Sequence, residues 1–227
     1  MGFSETAFVV PLDSDRTYGI RYFTPLVEVD LCGHATLASG YLLTRGENGG
    51  QPVVFRAAGG ELAVAPAGPD GLLWMDFPAE PPPVPTGDEE GVRVCEALGV
   101  PHAPQVVWRG RFDLMVRLAS AKAVFRCRPS AVELAGLDAR GVIITAPADG
   151  SGKASDFDFV SRYFAPRCGI AEDPVTGSAH CLLGCYWARE LGSGHLVGYQ
   201  ASDRGGLVHV SIRGAGRIGI GGRVRMG

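Results

Sequence analysis

The sequence predicts an α+β protein built as two pseudo-symmetric halves, each a curved β-sheet or barrel around one central helix. Three observations lead there. Arg21-Tyr22-Phe23-Thr24-Pro25 and Arg162-Tyr163-Phe164-Ala165-Pro166 agree at four of five positions and stand 141 residues apart. Each precedes a glycine that opens a helix-like run, so the chain reads as an internal duplication. Both runs are apolar on nearly every face, the pattern of a helix buried all round.

The echo continues downstream with three extra residues in the second copy. Gly33-His34-Ala35 aligns with Gly177-Ser178-Ala179, and Gly40 with Gly184. Phe55 and Ala57, before Gly59-Gly60, are answered by Tyr199 and Ala201, before Gly205-Gly206. Two related halves facing each other leave a cleft at their junction, where small-molecule sites preferentially lie.

Short runs rich in β-branched and aromatic residues predict strands at Ala7 to Pro11, Gly19 to Phe23, Val53 to Ala57, Glu61 to Ala65 and Leu72 to Phe77. Others follow at Gln105 to Trp108, Leu114 to Leu118, Val142 to Thr145, Leu196 to Tyr199 and Val208 to Ile212. Shorter helices are predicted at Val92 to Leu98 and Ala131 to Leu134. The two central helices span His34 to Arg45, stopped by Gly46, and Ser178 to Leu191, stopped by Gly192. The proline-rich stretch from Pro78 to Gly87 cannot form a helix interior or a central strand, because its prolines remove backbone donors. It links an N-terminal half, 1–84, to a C-terminal half, 85–227. Counted from the end of the link, 74 residues (88–161) precede the second Arg-Tyr-Phe motif and only 20 the first, so the repeat implies that the first half lacks an amino-terminal segment unless the second carries an insertion.

At 227 residues with 46% hydrophobic and 20% charged residues, a sizeable core is available. A net charge of -3 and a pI near 6.0 give no electrostatic footprint for nucleic acid or an anionic membrane, so the expected partner is small. No apolar run reaches the roughly 18 residues of a membrane span, and the start is not a signal peptide, so a cytoplasmic protein is expected. The six cysteines form no Cys-x-x-Cys pair and no His/Cys cluster at zinc spacing. They read as reduced, mostly buried thiols, with no metal and no cofactor implied.

The polar residues that an apolar interior does not explain lie at the starts of the two central helices. Cys32-Gly33-His34-Ala35-Thr36 opens one, and Glu172-Asp173-Pro174-Val175-Thr176-Gly177-Ser178-Ala179-His180 the other. Helix starts offer free amides and the positive end of the dipole, so two facing starts suit a carboxylate. Gly33 and Gly177 allow a ligand close to the backbone. Any one of these residues alone reads more readily as a cap, a turn glycine or a core histidine; two polar starts in register shift the balance toward a site.

Ser4-Glu5-Thr6-Ala7-Phe8-Val9, Arg21-Tyr22-Phe23-Thr24-Pro25, Glu28-Val29, Cys32-Gly33-His34-Ala35-Thr36-Leu37-Ala38 and Glu172-Asp173-Pro174-Val175-Thr176-Gly177-Ser178-Ala179 resemble, in order, the motifs of the PhzF-like (phenazine biosynthesis-like) family. The resemblance runs from Ser4 to about Val224. It implies the diaminopimelate-epimerase-like fold, a cofactor-independent isomerase acting on a small cyclic carboxylic acid, and a homodimer. It also implies that Glu5 moves the proton, with His34, Asp173 and Ser178 around the substrate beside Gly33, Thr176 and Gly177. A carboxylate in an apolar cleft can both donate and accept a proton near neutrality. Family members normally begin with a strand, a turn and a helix that are absent here. That is the same deficit as the repeat implies, and it leaves an open strand edge for a dimer contact to cover.

Two other enzyme readings compete, beside a ligand-binding remnant without turnover. Amino-acid racemases of the same fold resemble the chain at Cys32-Gly33-His34 but carry a second cysteine where Thr176 stands, and a hydroxyl cannot replace that thiol. Cys32 then reads as a packed residue beside the site. Metal-dependent hydrolysis through His34, His180 and Asp173 lacks tight ligand spacing.

Overall fold

The computed structural model describes residues 5–12, 15–46, 48–81, 83–101, 107–148 and 156–224. Ser4, Pro82, Gln105 and Val106, which the motifs and elements above include, lie outside them. The first part of the chain forms β1 (Thr6–Pro11), β2 (Thr17–Phe23), β3 (Glu28–Val29), α1 (Gly33–Arg45), β4 (Val53–Ala57), β5 (Gly60–Ala65) and β6 (Leu73–Pro78). There follow β7 (Val84–Pro85), α2 (Asp88–Leu98), β8 (Val107–Arg109), β9 (Asp113–Arg117), α3 (Ala121–Arg126) and α4 (Ala131–Ala135). The chain then forms β10 (Gly141–Pro147), β11 (Phe159–Phe164), α5 (Gly177–Leu191), β12 (His195–Gln200), β13 (Gly206–Arg213) and β14 (Arg217–Gly222).

The strands join in one sheet of order β1-β2-β4-β5-β6-β14-β13-β12-β11-β10-β9-β8-β7, with β3 beside β2. The duplication is visible in the pairing. The series β1, β2, α1, β4, β5, β6 recurs as β10, β11, α5, β12, β13, β14. In each copy the first two strands are antiparallel, and the second pairs in parallel with the strand after the helix. The closing strands β6 and β14 pair antiparallel with Met75 opposite Ile220, which joins the copies at the centre of the sheet.

Strand periodicity explains how the helices are held. Tyr18, Ile20 and Tyr22 on β2 and Leu73, Met75 and Phe77 on β6 alternate inward and form one core with residues of both α1 and α5. The helices lie so close to the sheet that a Cβ on Gly40 would fall 2.5 Å from Val64, and one on Gly184 2.5 Å from Val210. The same glycine-to-valine approach therefore recurs in both copies. A second core lies between α2–α4 and the outer face of β9–β11, with Leu114, Val116, Val142, Ile144, Val160 and Phe164 buried in it.

Several elements differ from the sequence reading. Arg217–Gly222 forms a strand although glycine is depleted in strands; a Cβ on Gly221 would meet the Trp74 ring at 3.0 Å, and one on Gly219 the tip of the Arg213 side chain. β11 contains the second Arg-Tyr-Phe motif and matches β2 in place, a strand that the runs above do not include. α3 is only six residues long, too short for a helical repeat, and is announced only by the Ser120 hydroxyl accepting from the Ala123 amide. The proline-rich link holds the two-residue strand β7, tolerated because it lies on the sheet edge.

Helix α5 is buried along most of its length, but α1 is not buried all round: Ala38 is exposed and Leu42 is 55% exposed. The reason lies in the asymmetry of the copies. Tyr186, the counterpart of Leu42, packs on Trp108 of β8 with ring centroids 5.1 Å apart, and Leu182, the counterpart of Ala38, is fully buried. Among the described residues nothing beside α1 corresponds to β8 and β9. The outer face of the first copy is bare for the same reason. By register, Thr6, Phe8 and Val10 correspond to Val142, Ile144 and Ala146, which α2–α4 cover. Phe8 and Val10 stay 59% and 56% exposed and line an open groove of about 1140 Å³ with Phe23 and Arg56. No helix among the described residues is long and apolar enough to cross a membrane.

Candidate active site

The two central helices meet start to start. A Cβ on Gly33 would lie 3.2 Å from the Gly177 Cα, and one on Gly177 would lie 3.4 Å from the Gly33 Cα. The side chains of Met75 and Ile220, opposite each other in the sheet, come within 4 Å of these positions and floor the junction. The N-caps are Cys32 and Thr176, both extended and neither using its side chain as a cap. Asp173 and Ser178 are thus not the caps of α5.

Glu5 precedes β1 with the parity of Ala7 and Val9, which pack into the central core, and opposite to Phe8 and Val10, which line the groove. The groove therefore lies on the other face of the sheet from Glu5. The Glu5 carboxyl, 8% exposed, stands 3.1 Å from His34 Nε2. The Cys32 Sγ is 3.5 Å from the same nitrogen, and His34 Nδ1 lies 3.1 Å from the carbonyl of Val175 in the other copy. A carbonyl only accepts, so Nδ1 carries a proton and Nε2 is the atom turned to Glu5 and Cys32. Burial works against an imidazolium here, but the hydrogen bonds it makes to Cys32 and Glu5 outweigh that and push the His34 pKa up. Burial raises the Cys32 thiol pKa, against an opposing pull from His34.

Asp173, Thr176 and Gln200 form a second cluster. The Thr176 hydroxyl donates to Asp173 Oδ2, and the Thr176 amide donates to Gln200 Oε1 at 2.8 Å. Gln200 Nε2 returns a bond to the Asp173 carbonyl at 2.8 Å and reaches the Thr176 hydroxyl at 3.2 Å. Asp173 is 4% exposed, and its Oδ1 has no hydrogen-bond partner among the described residues. Burial raises its pKa, and the neighbouring His34 charge and the Thr176 bond oppose that. Ser178 faces Arg140, whose guanidinium lies 3.2 Å from the serine hydroxyl and clamps the buried Asp113.

The helix starts thus gather Glu5, Cys32, His34, Asp173, Thr176 and Ser178 around the contact of Gly33 with Gly177. Cys32 is 5% exposed, packs in the central core and also touches His34. His180 does not join. It is fully buried, its Nδ1 bonds the Thr176 carbonyl at 2.8 Å, and burial lowers its pKa to about 4 against that bond. Among the described residues, Glu5, Cys32 and His34 alone bring at least three metal-type ligand atoms within 4.8 Å of one another. Arg140 and Gln200 escape sequence reasoning, because each lies outside the helix starts and reaches them only through the fold.

The sequence profile of the phenazine biosynthesis-like protein family matches residues 1–224. A Pseudomonas aeruginosa protein named an uncharacterized isomerase is 42% identical over 224 residues, 98% of this chain and 80% of its own length. A crystal structure of a PhzF-family phenazine biosynthesis protein from Enterococcus faecalis superposes with a TM-score of 0.80 at 36% identity, covering 97% of this chain and 79% of that one. A hydroxyproline epimerase from Agrobacterium vitis, 13% identical, covers 96% of this chain and 71% of that one with a TM-score of 0.59, a likeness of fold alone. Profile, relatives and fold agree over nearly the whole chain, which belongs to the phenazine biosynthesis-like (PhzC-PhzF) family.

Proposed function

We propose that the protein is a cofactor-independent isomerase that shifts a proton within a small cyclic carboxylic acid bound where the two helix starts meet. The observation that carries this reading is the Glu5 carboxyl, nearly buried and 3.1 Å from the His34 Nε2 at that junction. A carboxylate is a suitable shuttle: it takes a proton from one carbon of an unsaturated ring and returns it to another. His34, with Nδ1 fixed by the Val175 carbonyl, holds the Glu5 carboxylate in place through Nε2 and polarises a ring substituent. The substrate carboxylate lies against the amides of Gly33, His34, Gly177 and Ser178, where two dipole ends converge. Asp173 and Ser178 bind an amine or hydroxyl of the ring. The isomerase name of the Pseudomonas aeruginosa relative supports the reaction class.

The racemase reading has one observation in its favour, the contact of the Cys32 thiol with His34. Against it, the position opposite is Thr176, whose hydroxyl is already given to Asp173. The open outer face of the first copy supports a homodimer in which a second chain covers Phe8, Val10 and Phe23, C2 pairing being the commonest closed arrangement.

The test is to incubate the protein in heavy water with a panel of small cyclic amino and hydroxy acids and follow deuterium uptake by NMR. Enzyme-dependent incorporation at a ring carbon supports the isomerase. Exchange confined to the α-carbon of amino acids favours the racemase, and binding of panel acids without exchange identifies a ligand-binding protein.

A further inference from the structure

Glu5, Cys32 and His34 present one oxygen, one sulfur and one nitrogen to a common point, and the acid/base reading uses only two of them. We propose that these three side chains form a site for a thiophilic divalent cation, Zn²⁺ foremost, and that the ion inhibits the enzyme by taking Glu5 out of proton transfer. Inhibition rests on the proposed role of Glu5; the binding site does not.

The three donor atoms are near enough to share one ion once the Cys32 thiol turns: its Sγ lies beside the imidazole, 3.5 Å from Nε2 and 3.8 Å from Nδ1, and not in line with the Nε2 lone pair. With Zn–S about 2.3 Å and Zn–N and Zn–O about 2.0–2.1 Å, tetrahedral angles put S and N about 3.5 Å apart and N and O about 3.3 Å apart. The corresponding distances are 3.5 Å between Cys32 Sγ and His34 Nε2 and 3.1 Å between His34 Nε2 and Glu5 Oε2. All three donor atoms lie within 4.8 Å of one another. The imidazole is oriented as a ligand: Nδ1–H donates to the Val175 carbonyl at 3.1 Å, which leaves Nε2 to bind, and such a bond to the far nitrogen is the usual support of a zinc-bound histidine. The donor set excludes Mg²⁺ and Ca²⁺, which take oxygen ligands, and suits Zn²⁺ or Co²⁺.

Asp173 is an independent pointer. It is 4% exposed, its Oδ1 has no hydrogen-bond partner among the described residues, and the charges of His34 and Glu5 both act on it. A cation beside His34 would balance that carboxylate. Three protein ligands leave a fourth position for water or for a substrate carboxylate, the arrangement of an open zinc site. On binding, the Cys32 thiol gives its proton to solvent and coordinates as thiolate, and any proton on His34 Nε2 leaves likewise.

The experiment titrates metal-stripped, reduced protein with Co²⁺ and then displaces it with Zn²⁺. The site predicts one equivalent of Co²⁺ with a sulfur-to-cobalt charge-transfer band and the visible bands of a tetrahedral ion, both erased by Zn²⁺. Cys32→Ser and Cys32→Ala each abolish the charge-transfer band, whereas Cys168→Ser and Cys185→Ser keep it. Glu5→Gln keeps the band but weakens binding at least about 10-fold, the order of effect seen for groups that tune a metal site. No saturable binding, or a band that survives both Cys32 variants in proteins with wild-type circular dichroism, overturns the proposal. If the metal binds as predicted while deuterium exchange proves independent of Glu5, the site stands and the catalytic role of Glu5 falls. If Glu5→Gln abolishes exchange and no cobalt band forms, the metal site alone falls.

Discussion

Gly33 and Gly177 touch each other across the pseudo-twofold axis, each lacking the Cβ that would meet the other's Cα at 3.2 and 3.4 Å. The contact sets how close the two helix starts come, and therefore the span that a ligand must bridge. Because the obstacle at 3.2 Å is backbone and the one at 3.4 Å is ordinary contact, Gly33→Ala is the more damaging change. It is expected to lose about 1–3 kcal/mol of stability, as overpacked sites do, with Gly177→Ala losing less. Urea unfolding of the two variants measures the difference.

The duplication supplies an internal control for ion pairs. Arg21 with Glu28 and Arg162 with Glu172 form the same two-pronged bond, with distances of 2.7 to 2.8 Å in both copies. The first pair is exposed, while the Arg162 side chain is 10% exposed and also donates to the carbonyls of Val124 and Cys127. Arg162→Met should cost about 1–3 kcal/mol, because two buried carbonyls and the partly buried Glu172 lose their partner. Arg21→Met should be silent within error in the same denaturant titration.

His180 predicts an acid-sensitive component of stability. Its folded pKa is lowered from 6.5 to about 4 by burial, so the unfolded chain takes up the proton first as pH falls. Stability contributed by the neutral ring is full above pH 6.5 and is lost as pH falls through 4, about 3 kcal/mol in all. His180→Gln, measured by thermal unfolding between pH 7 and pH 4, should lose this dependence even if its starting stability is lower. An unchanged slope would show that His180 is not the group responsible.

The bare outer face predicts self-association. If a second chain covers Phe8 and Val10, sedimentation at micromolar concentration gives a dimer, and Phe8→Asp gives a monomer of unchanged circular dichroism. A wild-type monomer under those conditions removes the homodimer from the account.

The fold was legible where the two copies resemble each other and illegible where they differ. The pairs Gly33 with Gly177 and Gly40 with Gly184 align in sequence and prove to do the same work, touching backbone or valine at equal places. The exposure of Leu42 was not legible, because it arises where, among the described residues, no neighbour equivalent to Trp108 stands beside α1, a relation between distant segments. At the site, Glu5 alone looks like a solvated residue before a strand; the family motif singles it out, and the strand parity turns it inward. The Cys32 contact with His34 was half legible. The spacing brings the two side chains to one helix start, but the third donor, Glu5, arrives from just before β1, 27 residues ahead of Cys32. Gln200 clamps Asp173 and Thr176 from β12, with nothing in its own neighbourhood to mark it.

The central claim, that Glu5 carries the proton, is tested most directly by comparing solvent-deuterium exchange into an identified substrate for Glu5→Gln and Cys32→Ser. Glutamine keeps the size and hydrogen bonding of Glu5 but cannot ionise, so exchange should fall at least about 10²-fold, with ligand affinity changing far less. Cys32→Ser should leave exchange within a few-fold of wild type. Exchange that survives Glu5→Gln and is lost in Cys32→Ser would contradict the account and assign the proton to the thiol.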